Sequence, residues 1–183
     1  LALAGNNTNL RLALEELYKQ FKDAPVLGSL INPETSLGKG SLFEMKWEEV
    51  GPLLTTALKG EKDEEKSEIG VVALGMSKAA CLLSEKYHWV ITNVPYRSSN
   101  DLSEKVRSFS LKKYSDGSTD LATVFLLRIL DYLLKVGNCS LVIPQNWLVQ
   151  PTYKFFRKRL LSHHGIRVAA RLGPGAFQEI TGE

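Results

Sequence analysis

The sequence has few of the residues that build metal sites and disulfide frameworks. Its 183 residues include two cysteines and three histidines, none at the spacing of metal ligands. Cys81 and Cys139 lie in separate apolar segments, where packing is their simplest role. The sequence therefore predicts no metal site, and two unpaired cysteines are typical of a reducing, cytoplasmic compartment.

Long apolar runs and phosphate-binding loops are also missing. No stretch of about 18 consecutive apolar residues occurs, and no charged start followed by an apolar core indicates a signal peptide. The 14 glycines include no G-x-G-x-x-G series. The sequence thus predicts neither a membrane span nor export.

The composition is that of a globular chain. With 44% hydrophobic and 23% charged residues, it can bury a core as one domain or as part of one. The first residue is Leu1 rather than Met, and the chain stops at Glu183 without an obvious closing element. We interpret it as an excerpt of a longer protein.

Charge is distributed unevenly along the chain. Residues 1–92 hold 10 basic and 13 acidic side chains, whereas residues 93–183 hold 13 and 7. An excess of positive charge in one half is expected when one face meets a polyanion. Two local clusters contribute most to it: Lys105, Arg107, Lys112 and Lys113, then Lys154, Arg157, Lys158 and Arg159.

The two clusters differ in their apolar neighbours. Phe109 and Tyr114 alternate with the charges of the first cluster, which favours a binding role there. The second cluster has an apolar stripe at helical spacing behind it, which favours the solvated face of a helix. The stripe consists of Phe155, Phe156, Leu160 and Leu161.

Hydrophobic periodicity predicts helices in the first half of the chain and an alternation of strands and helices in the second. The N-terminal helix, about 9–22, places Leu10, Leu14, Leu17, Tyr18 and Phe21 on one face. Residues 28–42 are predicted to form an irregular connection. A buried helix is predicted to begin at a cap formed by Thr119 or Asp120 and to end at Gly137. The remaining predicted elements are helices at about 47–58, from the charged run 61–68 to 86, and 153–161, and strands at 88–92, 139–143 and 166–172. This series predicts an α/β fold with a parallel sheet, preceded by a mainly helical region over residues 1–86.

The tetrapeptide Asn93-Val94-Pro95-Tyr96 directly follows the first predicted strand. Pro95 pushes Val94 towards extended geometry, so the chain should leave the strand with the Asn93 side chain and the Val94 carbonyl exposed. Tyr96 then offers an aromatic face beside two acceptors. An ordinary strand followed by a turn is the plain structural alternative.

This tetrapeptide resembles motif IV of amino-group methyltransferases, usually Asn-Pro-Pro-Tyr, with Val94 in place of the first proline. Downstream, Thr119 to Phe125 and Leu141 to Trp147 are similar to motifs V and VI. Ala170 to Phe177 resembles a segment near the sixth strand of the large adenine-specific DNA methyltransferases of Type IIG restriction-modification and phage-exclusion (BREX-like) systems. The resemblance covers residues 87–183 well and residues 1–86 loosely.

The resemblance implies a partial Rossmann-like domain that methylates the N6 amine of a flipped adenine in double-stranded DNA. Asn93 and the Val94 carbonyl would accept the hydrogens of the amine, and Tyr96 would stack on the base. Phe177 is the candidate second wall of the pocket for the flipped base. The stretch after motif IV is substrate-facing in the family, which assigns DNA contacts to Lys105, Arg107, Lys112 and Lys113.

The methyl donor implied by the resemblance is S-adenosylmethionine, but its Gly-rich binding turn is missing from the sequence. We therefore expect the donor half of the site upstream of Leu1 and the target-recognition domain beyond Glu183, so that this piece alone is inactive. Asp120 and Phe125 are candidate cofactor contacts by family analogy. A helix cap and a core aromatic are the simpler accounts of these two residues.

Other functions stay open at this point. Asn-x-Pro-Tyr also suits methylation of another planar amine, such as a protein glutamine or an RNA base. Val94 and the missing donor segment are compatible with a non-catalytic scaffold that associates with other restriction or phage-defence subunits. A nuclease has little support, because no acidic pair plus lysine follows a strand with suitable spacing.

Overall fold

The computed structural model describes residues 4–33, 36–37, 45–59 and 61–173. The chain divides into two compact units. The first unit comprises residues 1–91 and 128–140, and the second comprises residues 92–127 and 141–183. The proposed division of the sequence at residue 86 stays a prediction.

Four helices form most of the first unit: α1 (Thr8–Phe21), α2 (Ala24–Leu27), α3 (Trp47–Lys59) and α4 (Glu64–Ser84). The three long helices confirm the sequence predictions, and local capping explains where two of them begin. The Asn7 side chain accepts a hydrogen bond from the backbone N–H of Leu10 at 3.0 Å, and Asp63 does the same for Lys66 at 3.2 Å.

The buried face of α1 is narrower than predicted. Leu10, Leu17 and Phe21 are buried, but Tyr18 is 70% exposed. Tyr18 lies at the flank of the stripe, where a polar-tipped ring can remain in water. The prediction that Tyr18 belongs to the buried face is therefore wrong.

The predicted irregular connection over residues 28–42 contains a 3₁₀ turn (Gly28–Leu30) and a two-residue strand, β1 (Ser36–Leu37). Strand β1 pairs antiparallel with β2 (Met45–Lys46). Residues 34–35 and 38–42 of that prediction lie outside the described residues.

Helix α4 is long and apolar enough, by length and composition, to cross a membrane, with a mean hydropathy of 1.3. It packs against α1 and α3. Core helices of many water-exposed domains pass the same composition test, so α4 carries no assignment of its own.

A buried arginine organises the first unit. Arg128 is 1% exposed and donates to the carbonyl oxygens of Ser29 at 3.3 Å, and of Ile31 and Leu83 at 2.8 Å each. Its guanidinium carbon lies 3.7 Å from the centroid of the Tyr132 ring. Sequence analysis missed this group, although a single charge between Leu127 and Ile129 was the available signal.

Strands β3 (Tyr87–Asn93) and β4 (Leu133–Val142) form a two-stranded sheet. The two strands are parallel, because the N–H of Tyr87 bonds to Tyr132 before β4 and the Tyr96 hydroxyl reaches Val142 at the end of β4. The prediction of a parallel sheet is thus confirmed for a short sheet of two strands.

One boundary in this region was predicted wrongly. Helix α6 (Leu121–Asp131) ends six residues before Gly137, which lies inside β4 instead of closing a helix. A Cβ on Gly137 would lie 2.8 Å from the carbonyl oxygen of Tyr87, so the glycine allows β3 to approach closely. Pairing with β3 therefore overrides the helical periodicity of Leu133 and Leu134.

Helical segments follow one another in the second unit after the tetrapeptide. A 3₁₀ turn (Ser99–Asp101), helix α5 (Glu104–Lys113) and a second 3₁₀ turn (Ser115–Gly117) precede α6. After β4 come α7 (Asn146–Val149), a third 3₁₀ turn (Pro151–Tyr153) and α8 (Lys154–His163). The N-terminal part of α6 is buried on several sides, as predicted, with Ala122, Val124 and Leu127 at most 2% exposed.

The predicted last strand over residues 166–172 is wrong for this structure. Residues 164–173 have no regular structure and are exposed, with Val168 at 83%. A strand requires a partner for its backbone groups, and within the described ranges no strand pairs with this segment.

Candidate functional site

The tetrapeptide Asn93-Val94-Pro95-Tyr96 leaves the end of β3 as predicted. Trp89, Val90 and Ile91 favour the extended strand that delivers it. Val94 is 5% exposed, whereas Asn93 and Tyr96 on either side are exposed. The buried Val94 side chain therefore anchors the turn while its polar neighbours remain accessible.

The Tyr96 hydroxyl joins two parts of this turn. Its oxygen lies 2.7 Å from Asn93 Oδ1 and 3.1 Å from the carbonyl oxygen of Val142. Desolvation raises the pKa of Tyr96, so the phenol keeps its proton at neutral pH. Tyr96, the third residue after β3, thus links the last residue of β3 to the end of β4.

The groups assembled here define what the site can bind. Asn93 offers an amide oxygen, and the Tyr96 ring, 42% exposed, offers an aromatic face. Both groups are neutral at physiological pH. The arrangement suits a planar, uncharged molecule that carries N–H donors at its edge and can stack on a ring.

The chain after the tetrapeptide runs beside the start of α6. The carbonyl of Arg97 accepts from Leu121 N–H at 2.8 Å, and Ser99 N–H donates to Thr119 at 3.1 Å. Ser98 and Asp120 form an antiparallel bridge between these contacts. The structure therefore brings the segments identified as motifs IV and V together.

Asp120 caps α6, as the sequence predicted. Its Oδ1 accepts from the backbone N–H of Thr123 at 2.8 Å, and its Oδ2 accepts from the Tyr153 hydroxyl. Burial raises the pKa of Tyr153, and the hydrogen bond to Asp120 raises it further. Sequence reasoning missed this pair, because no local pattern links residues 33 positions apart. Phe125 lies half-buried on α6, and cofactor contacts for Asp120 and Phe125 stay predictions.

The first basic cluster contains one arginine that supports the fold. Arg107 Nε donates to Ser99 at 3.0 Å, and its Nη2 donates to Asn100 at 3.1 Å and Leu102 at 3.3 Å, all at backbone carbonyls. Tyr114 is 5% exposed and packs 6.2 Å from the ring of Phe109, so it is a core residue. Interleaved aromatics are thus not a reason to assign binding to this cluster.

The arginines of the second cluster are also engaged within the chain. Arg157 Nη1 donates to the carbonyls of Trp147 and Gln150 at 2.7 Å each, and Arg159 pairs with Asp116 at 3.2 Å. Of the predicted apolar stripe behind it, Phe156 and Leu160 are buried, whereas Phe155 and Leu161 are exposed.

The lysines of the two clusters are used differently from the arginines. Four of them are exposed, and their side chains have neither an ion pair nor a hydrogen bond within the part of the chain that the structure describes. They are Lys112, Lys113, Lys154 and Lys158. Lys105 is also exposed and makes an interaction within the chain.

Two further parts of the family resemblance remain, the segment similar to motif VI and Phe177. Gln145 and Asn146 are exposed in the turn after β4, at the same end of the sheet as Asn93. Phe177 lies outside the described residues, so its proposed contact with a base stays a prediction.

Comparison with known proteins places this site in context. The family model described as Eco57I restriction-modification methylase matches residues 5–176. The adenine-specific methyltransferase BrxX of Escherichia coli O9:H4 (strain HS) is 26% identical over 183 residues, which is 100% of this chain and 14% of that protein. The adenine-specific methyltransferase PglX of Lacticaseibacillus casei (strain Zhang) is 27% identical over 171 residues, or 93% of this chain and 14% of that protein. The chain therefore spans about one-seventh of the length of these relatives.

Proposed function

Because the chain belongs to the Eco57I restriction-modification methylase family, we propose that it is part of an enzyme that methylates the N6 amine of adenine in DNA. The names of both relatives support adenine as the substrate. The observation that carries the proposal is the exposed amide of Asn93 beside the exposed ring of Tyr96, within one hydrogen bond of each other.

The proposed roles follow from the chemistry of the amine. The N6 lone pair of adenine is delocalised into the ring and becomes available only as the nitrogen pyramidalises. Acceptors aimed at its two hydrogens favour that change, and Asn93 Oδ1 and the Val94 carbonyl fill this role. Pro95 keeps Val94 extended, and Tyr96 stacks on the extruded base. Phe177 is the proposed second wall.

The transfer itself requires no covalent intermediate with the enzyme. S-adenosylmethionine, for which Asp120 and Phe125 are the candidate contacts, would supply an activated methyl group on sulfur for transfer to N6. The nitrogen gives up one proton afterwards. Asn93 and Val94 present neutral oxygens, so they orient the hydrogens of the amine rather than remove one.

The residues of this chain fit only part of a site for this cofactor. Asp120 and Phe125 are the candidate contacts, but both carboxylate oxygens of Asp120 already accept hydrogen bonds from Thr123 and Tyr153. Asp120 is thus better suited to fix the start of α6 than to hold the cofactor alone. We place the main cofactor-binding turn in a segment outside this chain.

The wider architecture belongs to the same proposal. We propose a Rossmann-like methyltransferase domain, in which residues 1–86 form a helical region and residues 87–183 form the part from motif IV onward. The turn after a parallel strand is where such folds bind ligands, which supports the placement of the site. Sequence-specific recognition is assigned to a further domain, and the complete protein to the cytoplasm and a restriction or phage-defence system.

Contacts with double-stranded DNA are proposed for the exposed lysines. Lys112 and Lys113 are the strongest candidates of the first cluster, with Lys105 beside them on α5. Arg107 is a weaker candidate than the sequence indicated, because three backbone carbonyls already engage its guanidinium.

The test uses the complete polypeptide with unmethylated DNA and labelled S-adenosylmethionine, followed by digestion to nucleosides. Labelled N6-methyl-2′-deoxyadenosine is expected with the wild-type protein, and Asn93→Ala and Tyr96→Ala should each form far less of it. Asn100→Ala, which truncates an exposed asparagine in the next turn of the chain, is the matched control and should remain active.

The outcomes separate the candidate substrates. Label in a protein amide or in RNA, with none in DNA, would indicate that the substrate is another planar amine and not adenine in DNA. Binding of the cofactor without transfer to any of these acceptors would indicate a scaffold.

A further inference from the structure

The Tyr96 hydroxyl is a single donor between two acceptors. Asn93 Oδ1 is 2.7 Å from the hydroxyl oxygen, and the Val142 carbonyl oxygen is 3.1 Å from it. A phenol carries one hydrogen, so it makes one strong hydrogen bond at a time or divides the hydrogen between two weaker ones. The shorter distance assigns the stronger bond to Asn93.

This geometry creates a conflict with the role proposed for Asn93. The oxygen that should accept from the adenine amine is the oxygen to which Tyr96 donates. An amide oxygen has two lone pairs, but a hydrogen bond from one donor weakens the hydrogen bond that a second donor can make to the same oxygen. The hydroxyl of Tyr96 therefore competes with the substrate unless it has another acceptor within reach.

We propose that the Tyr96 hydroxyl is a positioning group that holds the Asn93 amide in place and passes its hydrogen bond to the Val142 carbonyl when the substrate amine arrives. This inference rests on the proposed function. In the free protein the hydroxyl satisfies Asn93 Oδ1 and fixes its direction. In the complex the amine takes over that oxygen, and the hydroxyl keeps a partner at the end of β4.

The exchange conserves the number of hydrogen bonds. The approaching amine replaces the phenol at Asn93, and the phenol replaces that bond with the one to Val142, so no polar group is left unpaired. The 3.1 Å separation from Val142 means that the ring needs only a small movement. Tyr96 thus remains tethered at its hydroxyl while its exposed face is available for stacking.

The experiment removes the hydroxyl and keeps the ring. In the complete polypeptide, Tyr96→Phe is expected to lower the single-turnover rate of methyl transfer about tenfold, because the Asn93 amide is no longer held in the direction that the arriving amine requires. The DNA dissociation constant should change by less than about twofold, because the ring still stacks. Tyr18→Phe, which removes the hydroxyl of an exposed tyrosine, is the matched control and should match the wild type.

A double-mutant cycle tests whether the hydroxyl acts through Asn93. If it does, adding Tyr96→Phe to Asn93→Ala should slow transfer no further, since the amide that it positions is gone. Excess protein and long incubations keep slow transfer by Asn93→Ala measurable, so that both backgrounds of the cycle can be compared.

Each outcome supports or overturns the inference. Wild-type rates in Tyr96→Phe, or a tenfold loss that persists in the Asn93→Ala background, would overturn it while leaving adenine methylation intact. Failure of the proposed function is distinguishable, because in that case the wild-type protein itself would transfer no methyl group to adenine.

Discussion

The turns that follow β3 and β4 have a common design and different chemistry. In each, the strand end leads through short helical segments into a longer helix, and an arginine of that helix donates to carbonyls of the connection. Arg107 of α5 donates to carbonyls within residues 99–102, and Arg157 of α8 donates to those of Trp147 and Gln150. A positively charged fork can satisfy several carbonyls that no regular ladder would pair.

The difference lies in what each strand end presents. The turn after β3 exposes an amide and an aromatic ring that contact each other, Asn93 and Tyr96. The end of β4 contributes a backbone carbonyl to this contact, that of Val142. The arginines are therefore scaffold in both turns, and the chemistry depends on the few side chains at the strand end.

The largest effect is expected from equivalent amide truncations after the two strands. Asn93→Ala should lower the rate of methyl transfer about 10²-fold to 10³-fold, the range for loss of one preorganised polar group at a reacting centre. Gln145→Ala, in the turn after β4, should stay within about threefold of the wild type, since surface substitutions away from a site have small effects. Single-turnover transfer in the complete polypeptide measures both rates. Equal reductions in rate would contradict the assignment of the chemistry to the turn after β3.

The next effect concerns the two arginines. Arg157 is half-buried and makes two bonds of 2.7 Å, whereas Arg107 is exposed and its bonds are 3.0 to 3.3 Å long. Arg157→Ala should destabilise its turn by about 2 kcal/mol, which lowers amide protection there about thirtyfold, and Arg107→Ala by about 1 kcal/mol.

Hydrogen exchange of peptides 146–163 and 99–113 in the complete polypeptide measures these changes. Arg157→Lys is the control, because it keeps the charge and loses the planar fork that bridges two carbonyls. Full protection in Arg157→Lys would show that charge, not geometry, supports the turn.

A smaller effect separates the lysines from the arginines. Lys112→Ala combined with Lys113→Ala should reduce the slope of log DNA affinity against log salt by about 2, roughly one unit for each phosphate that a lysine no longer neutralises. Arg107→Ala should change this slope by less than about 0.5 on the same basis, because its guanidinium serves the fold. Fluorescence anisotropy over a salt series gives the slopes. A larger change in slope for Arg107→Ala than for the lysine pair would indicate that Arg107 binds DNA.

The smallest effect appears only in alkali. Burial and the hydrogen bond to Asp120 raise the pKa of Tyr153 above that of an unfolded tyrosine, near 10. The unfolded chain therefore releases its proton first, and the stability from this group is complete below about pH 10 and declines as the pH rises above it. Tyr153→Phe should flatten the decline in thermal stability between about pH 9.5 and 11. An unchanged slope in that variant would exclude Tyr153 as its source.

Local signals in the sequence were sufficient for much of the fold. The periodicity of α1, α3 and α4, the β-formers of β3 and the cap at Asp120 each act within a few residues, so the sequence predicted them. The change from α6 to β4 was not predictable in this way. Leu133 and Leu134 continue a helical pattern, and only the bond between Tyr87 and Tyr132, which are distant in the sequence, draws that segment into the sheet.

The candidate site shows the same limit. Its tetrapeptide was visible in the sequence, because four adjacent residues carry the chemistry. The partners that fix it were not, since Val142 lies 46 positions from Tyr96 and Tyr153 lies 33 from Asp120. Which basic residues are engaged by carbonyls also depends on three-dimensional contacts rather than on composition.

The buried Arg128 sets an order of events for the growing chain. Its bonds to Ser29 and Ile31 close loops of 99 and 97 residues, and that to Leu83 closes one of 45. Closing such long loops costs chain entropy that only a late, well-packed contact repays, and high contact order slows folding. On the ribosome, the carbonyls at 29 and 31 emerge about a hundred residues before their donor. The first unit, which includes residues 128–140, can therefore complete its packing only after α6 has been synthesised.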